Sequence, residues 1–347
     1  MSADEPAGRD PARVHLFWAV LTFVAGTFLS LQSRMNGELA TVSGRGLDAA
    51  LWSFGSGLVV LTGVVLASPR TRAGFVSLRA ALRERDIQVW QCLGGGVGAL
   101  YVFNQAYAVP LAGVALFTIA VVGGQTASAM VVDRFGIGPA GRVPVTRSRL
   151  AAALLATLGV VVAVGGRVSG TSAVVVLPVV LALLTGALTT AQQGTNGRVN
   201  VAAGSPFTTA WLNFAVGTVV LLVLAAPASL TGTFGTPGSL DAPWWAWFGG
   251  VLGIGVVAVS AVAVRHLGVL QVMLLMLLGQ LSSAVALDAV SPATRAHITP
   301  LVVVGLLVTL VAAVLAGVAA NRAARHTRNA GDTRLQHRDR PVDRTGR

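Results

Sequence analysis

Long apolar stretches constrain this chain more than any other feature of its sequence. Of its 347 residues, 54% are hydrophobic and only 11% are charged, whereas soluble domains carry about 25% charged residues. The apolar residues come in runs of roughly 18 or more, the length a helix needs to cross a hydrocarbon core about 30 Å thick. Backbone groups in lipid must be satisfied within their own segment, and the runs do not alternate as barrel strands do. They therefore predict transmembrane helices.

Ten such helices are predicted, which makes the fold class an all-α integral membrane protein. Their expected ranges are 16–33, 49–67, 89–108, 112–132, 150–165, 174–192, 207–226, 244–264, 268–287 and 301–320. We assign residues 14–166 and 174–320 to two five-helix units. Residues 1–13 are polar and residues 321–347 are rich in arginine, so we expect both segments to be disordered tails.

The arginines predict how the chain is oriented. All 25 basic residues are arginines. If the N-terminus is cytoplasmic, 21 of them fall in cytoplasmic segments and 4 in outer segments; without the C-terminal tail the ratio is 13 to 4. Cytoplasmic loops carry such an excess, so we expect a multi-pass bacterial inner-membrane protein with both termini in the cytoplasm. Anionic lipid is then the expected partner of the C-terminal tail.

The sequence lacks residues that several functional classes of protein require. The net charge of +12 is accompanied by no nucleic-acid-binding motif, so we expect no nucleic-acid partner. Cys92 is the sole cysteine, and the five histidines do not have metal-ligand spacing. Lysine is absent, which excludes a Walker-type phosphate loop and a Schiff-base lysine. Paired carboxylates at enzyme spacing are also absent from the predicted spans. We expect no metal, no cofactor and no enzymatic activity.

A short polar phrase occurs twice, at the ends of the first and sixth predicted helices. Its copies are Gln32-x-x-x-Asn36-Gly37 and Gln192-x-x-x-Asn196-Gly197, 160 residues apart. Each copy is followed at the same distance by a phenylalanine and a glycine, namely Phe54 and Gly57, then Phe214 and Gly217. A second match, 155 residues apart, aligns Gly113-Val114, Gly124-Gln125 and Asp133 with Gly268-Val269, Gly279-Gln280 and Asp288.

Chance explains matches of glycine and valine in such a chain, but glutamine, asparagine and aspartate are scarce in the spans. We therefore infer an internal duplication. Because each unit has an odd number of helices, the two units are expected to cross the membrane in opposite orientations. Inverted repeats of this kind allow two halves to exchange conformations in alternating access.

These features give the chain a family resemblance. Two five-helix repeats, each opening with Gln-x-x-x-Asn and then an aromatic-x-x-Gly helix, resemble the drug/metabolite transporter superfamily. The phrase is most similar to the YdcZ-type branch of bacterial inner-membrane proteins, relatives of the EamA-like transporters, over residues 16–320 or so. The resemblance implies export of a small organic metabolite or drug-like solute. Small multidrug-resistance relatives carry a glutamate in the first helix, which this chain lacks; its nearest acid, Glu38, lies beyond the predicted span.

Polar side chains within the spans are the candidate site, since a polar group in lipid is costly unless it faces the bundle interior. The substrate-binding candidates are Gln125, Gln280, Asn104, Tyr107 and Asn213. Each of the two glutamines precedes an aspartate by eight residues, about 12 Å along a helix. If the aspartates mark membrane surfaces, the glutamines lie near the midplane, where substrate sites of inverted-repeat transporters occur. The competing interpretation is that these amides only hold helices together.

Two further sets of residues are candidates for a role in transport. Asp133 and Asp288 are candidates for ion or proton coupling, although an acid at a helix end is more often simply solvated. The repeated phrases fall near the outer end of the first helix and the inner end of the sixth. We interpret them as gate or hinge elements, comprising Gln32, Asn36, Gly37, Gln192, Asn196 and Gly197. Their glycines would release the helix, and their asparagines would bind the freed backbone groups.

The predicted function is transport of a small-molecule solute by alternating access between the two repeats. The sequence does not decide whether the protein forms a homodimer. The alternative is a non-transporting membrane scaffold or a lipid-handling flippase accessory protein. A central cavity lined by Gln125, Gln280 and Asn104 would favour transport, and amides buried against each other would favour the scaffold.

Overall fold

The chain folds into a bundle of α-helices. The structure is a computed structural model that describes residues 11–138, 141–142, 145–165, 172–230 and 241–338. The α-helices in these residues are α1 (Pro11–Ser43), α2 (Gly46–Ala67), α3 (Pro69–Glu84), α4 (Gly95–Phe135), α5 (Arg147–Gly165), α6 (Ser172–Ala203), α7 (Pro206–Leu230), α8 (Gly249–Leu267), α9 (Val269–Val290) and α10 (Pro300–Arg338). Short 3-10 turns cover Val89–Gly94, Trp244–Phe248 and Arg295–His297.

Nine helical stretches in the described part of the chain are long and apolar enough to cross a membrane. One of them, Val89–Phe135, has 47 residues and covers both the third and the fourth predicted helices. At Gly113 the backbone leaves helical geometry, with φ 84° and ψ 163°. The rings of Tyr101 and Phe117 nevertheless lie 5.8 Å apart, although 16 residues of straight helix would separate them by about 24 Å. The two halves of α4 therefore fold back on each other, so the nine stretches of the described residues contain ten apolar segments.

The same backbone break occurs between α8 and α9. Gly268 has φ 77° and ψ 160°, a combination that is essentially restricted to glycine. It ends α8 and immediately precedes α9, just as Gly113 divides α4. The sequence match of Gly113-Val114 with Gly268-Val269 therefore corresponds to a shared helix–glycine–helix turn.

Helix α3 lies where the sequence predicted only a loop. It starts because the hydroxyl of Ser68 accepts a hydrogen bond from the backbone N–H of Thr71 at 3.2 Å, and because Pro69 fits the first turn. Its buried face contains Thr71, Gly74 and Leu78, and the Thr208 hydroxyl of α7 donates to the Thr71 carbonyl. The arginines of α3 lie largely on the opposite, exposed face, so α3 is an amphipathic helix beside the bundle.

The chain termini also differ from the sequence prediction within the described residues. Helix α1 already begins at Pro11, and α10 continues without a break to Arg338, well past the expected end at residue 320. Helix propagation explains the extension, because each added residue gains one backbone hydrogen bond and the alanine-rich segment after Ala319 favours helix. Residues 1–10 and 339–347 of the predicted tails lie outside the described part, as do the loop segments 166–171 and 231–240.

Helix contacts recur at equivalent positions of the two units. A Cβ built on Gly26 of α1 would meet the Met276 carbonyl of α9, and one built on Gly186 of α6 would meet the Val121 carbonyl of α4. Gly186 lies 160 residues after Gly26, and Met276 lies 155 residues after Val121. The two contacts are therefore related by the two repeat spacings. Small residues at such crossings let backbones approach closely in lipid, where no hydrophobic force drives helices together.

Candidate functional site

The first polar phrase is part of a closed hydrogen-bond network between α1 and α4. The Asn36 amide donates to Oε1 of Gln105 at 2.8 Å, and the Gln105 amide donates to the Ser33 hydroxyl at 2.8 Å. Gln105 is fully buried, and Asn36 and Gln32 are also buried. Sequence reasoning missed Gln105, although it is an amide within a predicted span. Gln105 directly follows the candidate Asn104, and its amide within an apolar span is the signal that could have found it.

The second polar phrase forms a looser network between α6 and α7. The Gln192 amide donates to Oδ1 of Asn213 at 3.4 Å, and the Asn213 amide donates to Oδ1 of Asn196 at 3.1 Å. All three side chains are only partly buried. Asn213 therefore belongs with the second phrase and not with the predicted midplane glutamines.

The two phrases are equivalent in sequence but differ in environment. Asn36 corresponds to Asn196, and Ser53 corresponds to Asn213, each 160 residues later. Asn196 and Asn213 are hydrogen-bonded to each other and partly exposed, whereas Oδ1 of Asn36 and the hydroxyl of Ser53 are buried without a hydrogen-bond partner. The bundle is thus closed around the first phrase and more open around the second.

Gln125 and Asn104 are brought together along one face of α6. The Gln125 amide donates to the Thr189 hydroxyl at 3.3 Å, and the Asn104 amide donates to the Thr185 hydroxyl at 3.1 Å. Thr185 and Thr189 are one helical turn apart, so the two amides form a ladder on α6. Oδ1 of Asn104 is buried and has no hydrogen-bond partner, which leaves an acceptor free within the ladder.

Gln280 lies in a different network from Gln125. Its side chain is buried and, together with those of Ser33 and Gln105, lies near the Tyr101 hydroxyl. The backbones of the two glutamines do have equivalent partners, since the Ser30 hydroxyl donates to the Gln280 carbonyl at 2.6 Å and the Thr190 hydroxyl donates to the Gln125 carbonyl at 3.2 Å. The repeat is therefore preserved in the backbone contacts but not in the side-chain networks.

Tyr107 is separated from the other substrate-binding candidates. Its side chain is 39% exposed, and its backbone N–H lies beside Gly46 at the start of α2. The structure thus divides the five predicted residues into an α6 ladder, the Gln280 network, the second phrase and an exposed tyrosine.

Asp133 and Asp288 have unlike partners. Asp288 is 1% exposed, and its carboxylate accepts hydrogen bonds from the backbone N–H groups of Val114 at 3.1 Å and Ala115 at 2.8 Å. It therefore caps the second half of α4 immediately after the Gly113 break. Asp133 instead forms an ion pair with the buried guanidinium of Arg149 at the start of α5.

The helix release that we expected at Gly37 and Gly197 is not present in this structure. Helix α1 continues past Gly37 to Ser43, and α6 continues past Gly197 to Ala203. The asparagine amides bind side chains and not freed backbone groups. A Cβ on Gly37 would lie 2.8 Å from Cγ1 of Val109, so close packing against α4 accounts for this glycine.

A cavity of about 620 Å³ opens at the end of α6 that carries the second phrase. It is lined by Ser77, Ala80, Ala81, Glu84, Asp86, Ile87, Gly141, Arg198, Val201 and Ala202. Arg198 is tied to the chain after α4, because its guanidinium donates to the carbonyls of Gly136 at 2.7 Å and Gly138 at 3.2 Å. The predicted substrate-binding amides are not part of this lining, so the cavity differs from the central one expected for a transporter.

Comparison with protein families identifies the chain. A family model described as "Putative inner membrane exporter, YdcZ" matches residues 17–162 and 177–315. These two segments coincide with α1–α5 and α6–α10 and together cover most of the chain. The chain belongs to this family. No curated protein matches it. The resemblance inferred from the repeated phrase is thereby confirmed, and this YdcZ-family protein is a multi-pass inner-membrane protein of a transporter family.

Among the residues that the structure describes, no group of three or more histidine, cysteine, aspartate or glutamate side chains could hold a metal ion. The buried polar groups described above include amides, hydroxyls, the capped carboxylate of Asp288 and the paired guanidinium of Arg149. Such groups can exchange hydrogen bonds with a polar solute.

Proposed function

We propose that this YdcZ-family protein is a secondary transporter that exports a small organic solute by alternating access between two inverted repeats. The observation that carries the proposal is the unequal burial of equivalent residues. Asn36 is buried within the first phrase, while Asn196 is partly exposed within the second. A transporter of two inverted repeats needs this asymmetry, because one end of the pathway must be closed while the other is open.

The arginine distribution assigns the open end to the cytoplasm in this proposal. With both termini inside, the second phrase lies near the inner surface and the first near the outer surface. The conformation described would then be the one that takes up solute from the cytoplasm. The C-terminal arginines from Arg322 onward would bind anionic lipid at the same surface.

The side chains suggest which kind of solute would bind. Gln125 and Asn104 present amides along α6, and Oδ1 of Asn104 is an unused acceptor. A neutral or weakly polar molecule with a hydrogen-bond donor suits these groups. In the conformation described the amides are occupied by Thr189 and Thr185, so solute binding would require exchange of those bonds.

A membrane scaffold is the competing function, and the same threonine bonds favour it. Amides that bind only neighbouring helices stabilise a bundle by about 0.6 kcal/mol each, and up to 1–2 kcal/mol. The two functions differ in what replacing the amides would do. In a scaffold the loss affects stability alone, whereas in a transporter it also affects solute binding.

The test measures flux and binding with the full-length protein. Purified protein is reconstituted in proteoliposomes and screened against a panel of small organic metabolites and drug-like compounds, with thermal unfolding recorded beside flux. We expect at least one solute to raise the unfolding temperature and to be transported. We expect an Asn104→Leu/Gln125→Leu variant to lose both effects, while Asn200→Ala on the exposed face of α6 keeps them. Absence of any stabilisation and any flux across the panel would contradict the proposal.

A further inference from the structure

The two backbone breaks and the two aspartates form a matched set. Gly113 and Gly268 share one glycine-specific backbone geometry, and each is followed 20 residues later by an aspartate, Asp133 or Asp288. Twenty residues of helix span about 30 Å. Each aspartate therefore lies at the far end of the helix that its own glycine begins.

Asp288 of one repeat reaches the break of the other repeat. Its two carboxylate oxygens accept the N–H groups of Val114 and Ala115, and a Cβ on Gly113 would lie 2.7 Å from Oδ2 of Asp288. The end of α9 is thus fixed to the start of the second half of α4. A carboxylate at a helix N-terminus is favoured by the unpaired N–H groups and by the helix dipole.

The equivalent contact at the other end is not made. A Cβ built on Gly268 would meet no atom within 4 Å, although α9 packs against α4 and its start points towards the end that holds Asp133. The Asp133 carboxylate is instead paired with Arg149. One of two equivalent carboxylate–helix contacts is therefore closed, and the other is open.

We propose that Asp288 and Asp133 are positioning residues that alternate as helix caps during transport. In the state described, Asp288 caps the second half of α4 and holds the first-phrase end closed. In the opposite state, Asp133 leaves Arg149 and caps α9 at Gly268, while Asp288 releases α4. The inference rests on the proposed alternating access, because exchanging the conformations of two inverted repeats turns one contact into the other.

The burial of the two phrases agrees with this assignment. The Asp288 cap is closed in the same state in which Asn36 and Ser53 are buried. The Gly268 contact is open in the state in which Asn196 and Asn213 are partly exposed. The cap and the phrase of each end therefore change together.

Labelling of a single cysteine tests the alternation without any solute. The reporter is Ser53→Cys in a Cys92→Ser background, since Ser53 is buried in the state described and is expected to become accessible when the first-phrase end opens. We expect Asp288→Asn to raise the maleimide labelling rate by about threefold to tenfold. This range corresponds to the stabilisation that a carboxylate at a helix N-terminus provides and that the asparagine would lose. Asp133→Asn is expected to lower that rate, because it removes the competing cap. Glu84→Gln, an exposed carboxylate of α3, is the matched control and should leave the rate unchanged.

Three further variants protect the test against misfolding. Arg149→Gln frees Asp133 and is expected to raise the labelling rate as Asp288→Asn does, although Arg149 is far along the chain from both Asp288 and Ser53. Adding Asp133→Asn to Arg149→Gln should bring the rate back, and Asp288→Glu should retain part of the wild-type protection. The proposal would be overturned if Asp288→Asn and Asp133→Asn changed the labelling rate of Ser53→Cys in the same direction. It would also be overturned if both variants were folded and neither changed that rate.

The outcome separates this inference from the proposed function. Opposite shifts in labelling without flux of any solute would support the alternating caps and count against transport. Flux of a solute combined with labelling that ignores both aspartates would support transport and overturn the caps.

Discussion

The rings of Phe54 in α2 and Phe214 in α7 lie 5.1 Å apart, with an interplanar angle of 35°. Each ring also covers the glycine that follows the other phenylalanine by three residues. A Cβ built on Gly57 would overlap the ring of Phe214, and one built on Gly217 would overlap the ring of Phe54. The four residues form two pairs 160 positions apart, so α2 and α7 meet through one pattern used twice.

This reciprocal contact predicts that Gly57→Ala and Gly217→Ala both destabilise the bundle. Overpacking a well-packed contact costs about 1–3 kcal/mol, and both substitutions force a methyl group into an aromatic ring. Gly55→Ala on the same helix is the control, because a Cβ there has no neighbour within 4 Å. The measurement is reversible unfolding in detergent micelles.

Shortening the opposing ring should partly restore stability. We expect Gly57→Ala/Phe214→Leu to lose less unfolding free energy than the two single variants lose together, because leucine leaves room for the added methyl group. If Gly57→Ala is as stable as Gly55→Ala, the close contact between α2 and α7 does not exist in the folded protein.

The backbone breaks give a second prediction, about Gly113→Ala and Gly268→Ala. Both positions hold a backbone conformation that costs other residues about 1–3 kcal/mol. Gly113→Ala is expected to cost more, since its Cβ would also lie 2.7 Å from a carboxylate oxygen of Asp288. Gly63→Ala, in a helical position with open space, is the control. Equal unfolding free energies for Gly113→Ala and Gly268→Ala would argue against the Asp288 contact.

Gln105 gives a third prediction, because it connects α4 to two residues of α1. Gln105→Leu leaves the Asn36 amide without its acceptor and Ser33 without its donor. We expect a loss of about 1–3 kcal/mol of unfolding free energy, the cost of leaving buried polar groups unpaired. Asn200→Ala, on the exposed face of α6, should change it by less than about 0.5 kcal/mol. A Gln105→Leu variant as stable as Asn200→Ala would refute the network.

The sequence predicted the apolar segments because their length and composition follow directly from the lipid solvent. The internal matches were informative as well, since Gln, Asn and Asp are rare in the spans. The sequence missed α3, whose start depends on the Ser68 cap, and it placed the flexible glycines at Gly37 and Gly197. The actual breaks at Gly113 and Gly268 lie at the predicted starts of the fourth and ninth helices. The sequence therefore placed these helix boundaries, but it did not assign the glycine-specific backbone geometry to them.

The state of each repeat could not be read from the sequence at all. Asn36 and Asn196 occupy equivalent positions in matching phrases, yet one is buried and the other is partly exposed. The same holds for Asp133 and Asp288, whose partners differ although their spacing from glycine is identical. Such differences arise from the conformation of the whole bundle and not from local residue patterns. A sequence search can therefore find the equivalent residues, but only the fold shows which member of each pair is buried and which partners each member has.

The final prediction concerns the orientation of the repeats in the membrane. Thr41, near the end of α1, and Val201, near the end of α6, are equivalent residues 160 positions apart, and both are exposed. The proposed inverted arrangement would place them on opposite sides of the membrane, and the excess of arginines predicts that the Val201 side is cytoplasmic. In a Cys92→Ser background, we expect a membrane-impermeant maleimide to label Thr41→Cys in intact cells. Val201→Cys should react only after permeabilisation, which also serves as the reactivity control for both positions. Labelling of both cysteines in intact cells would show that the repeats are parallel, and labelling of Val201→Cys alone would reverse the assigned orientation.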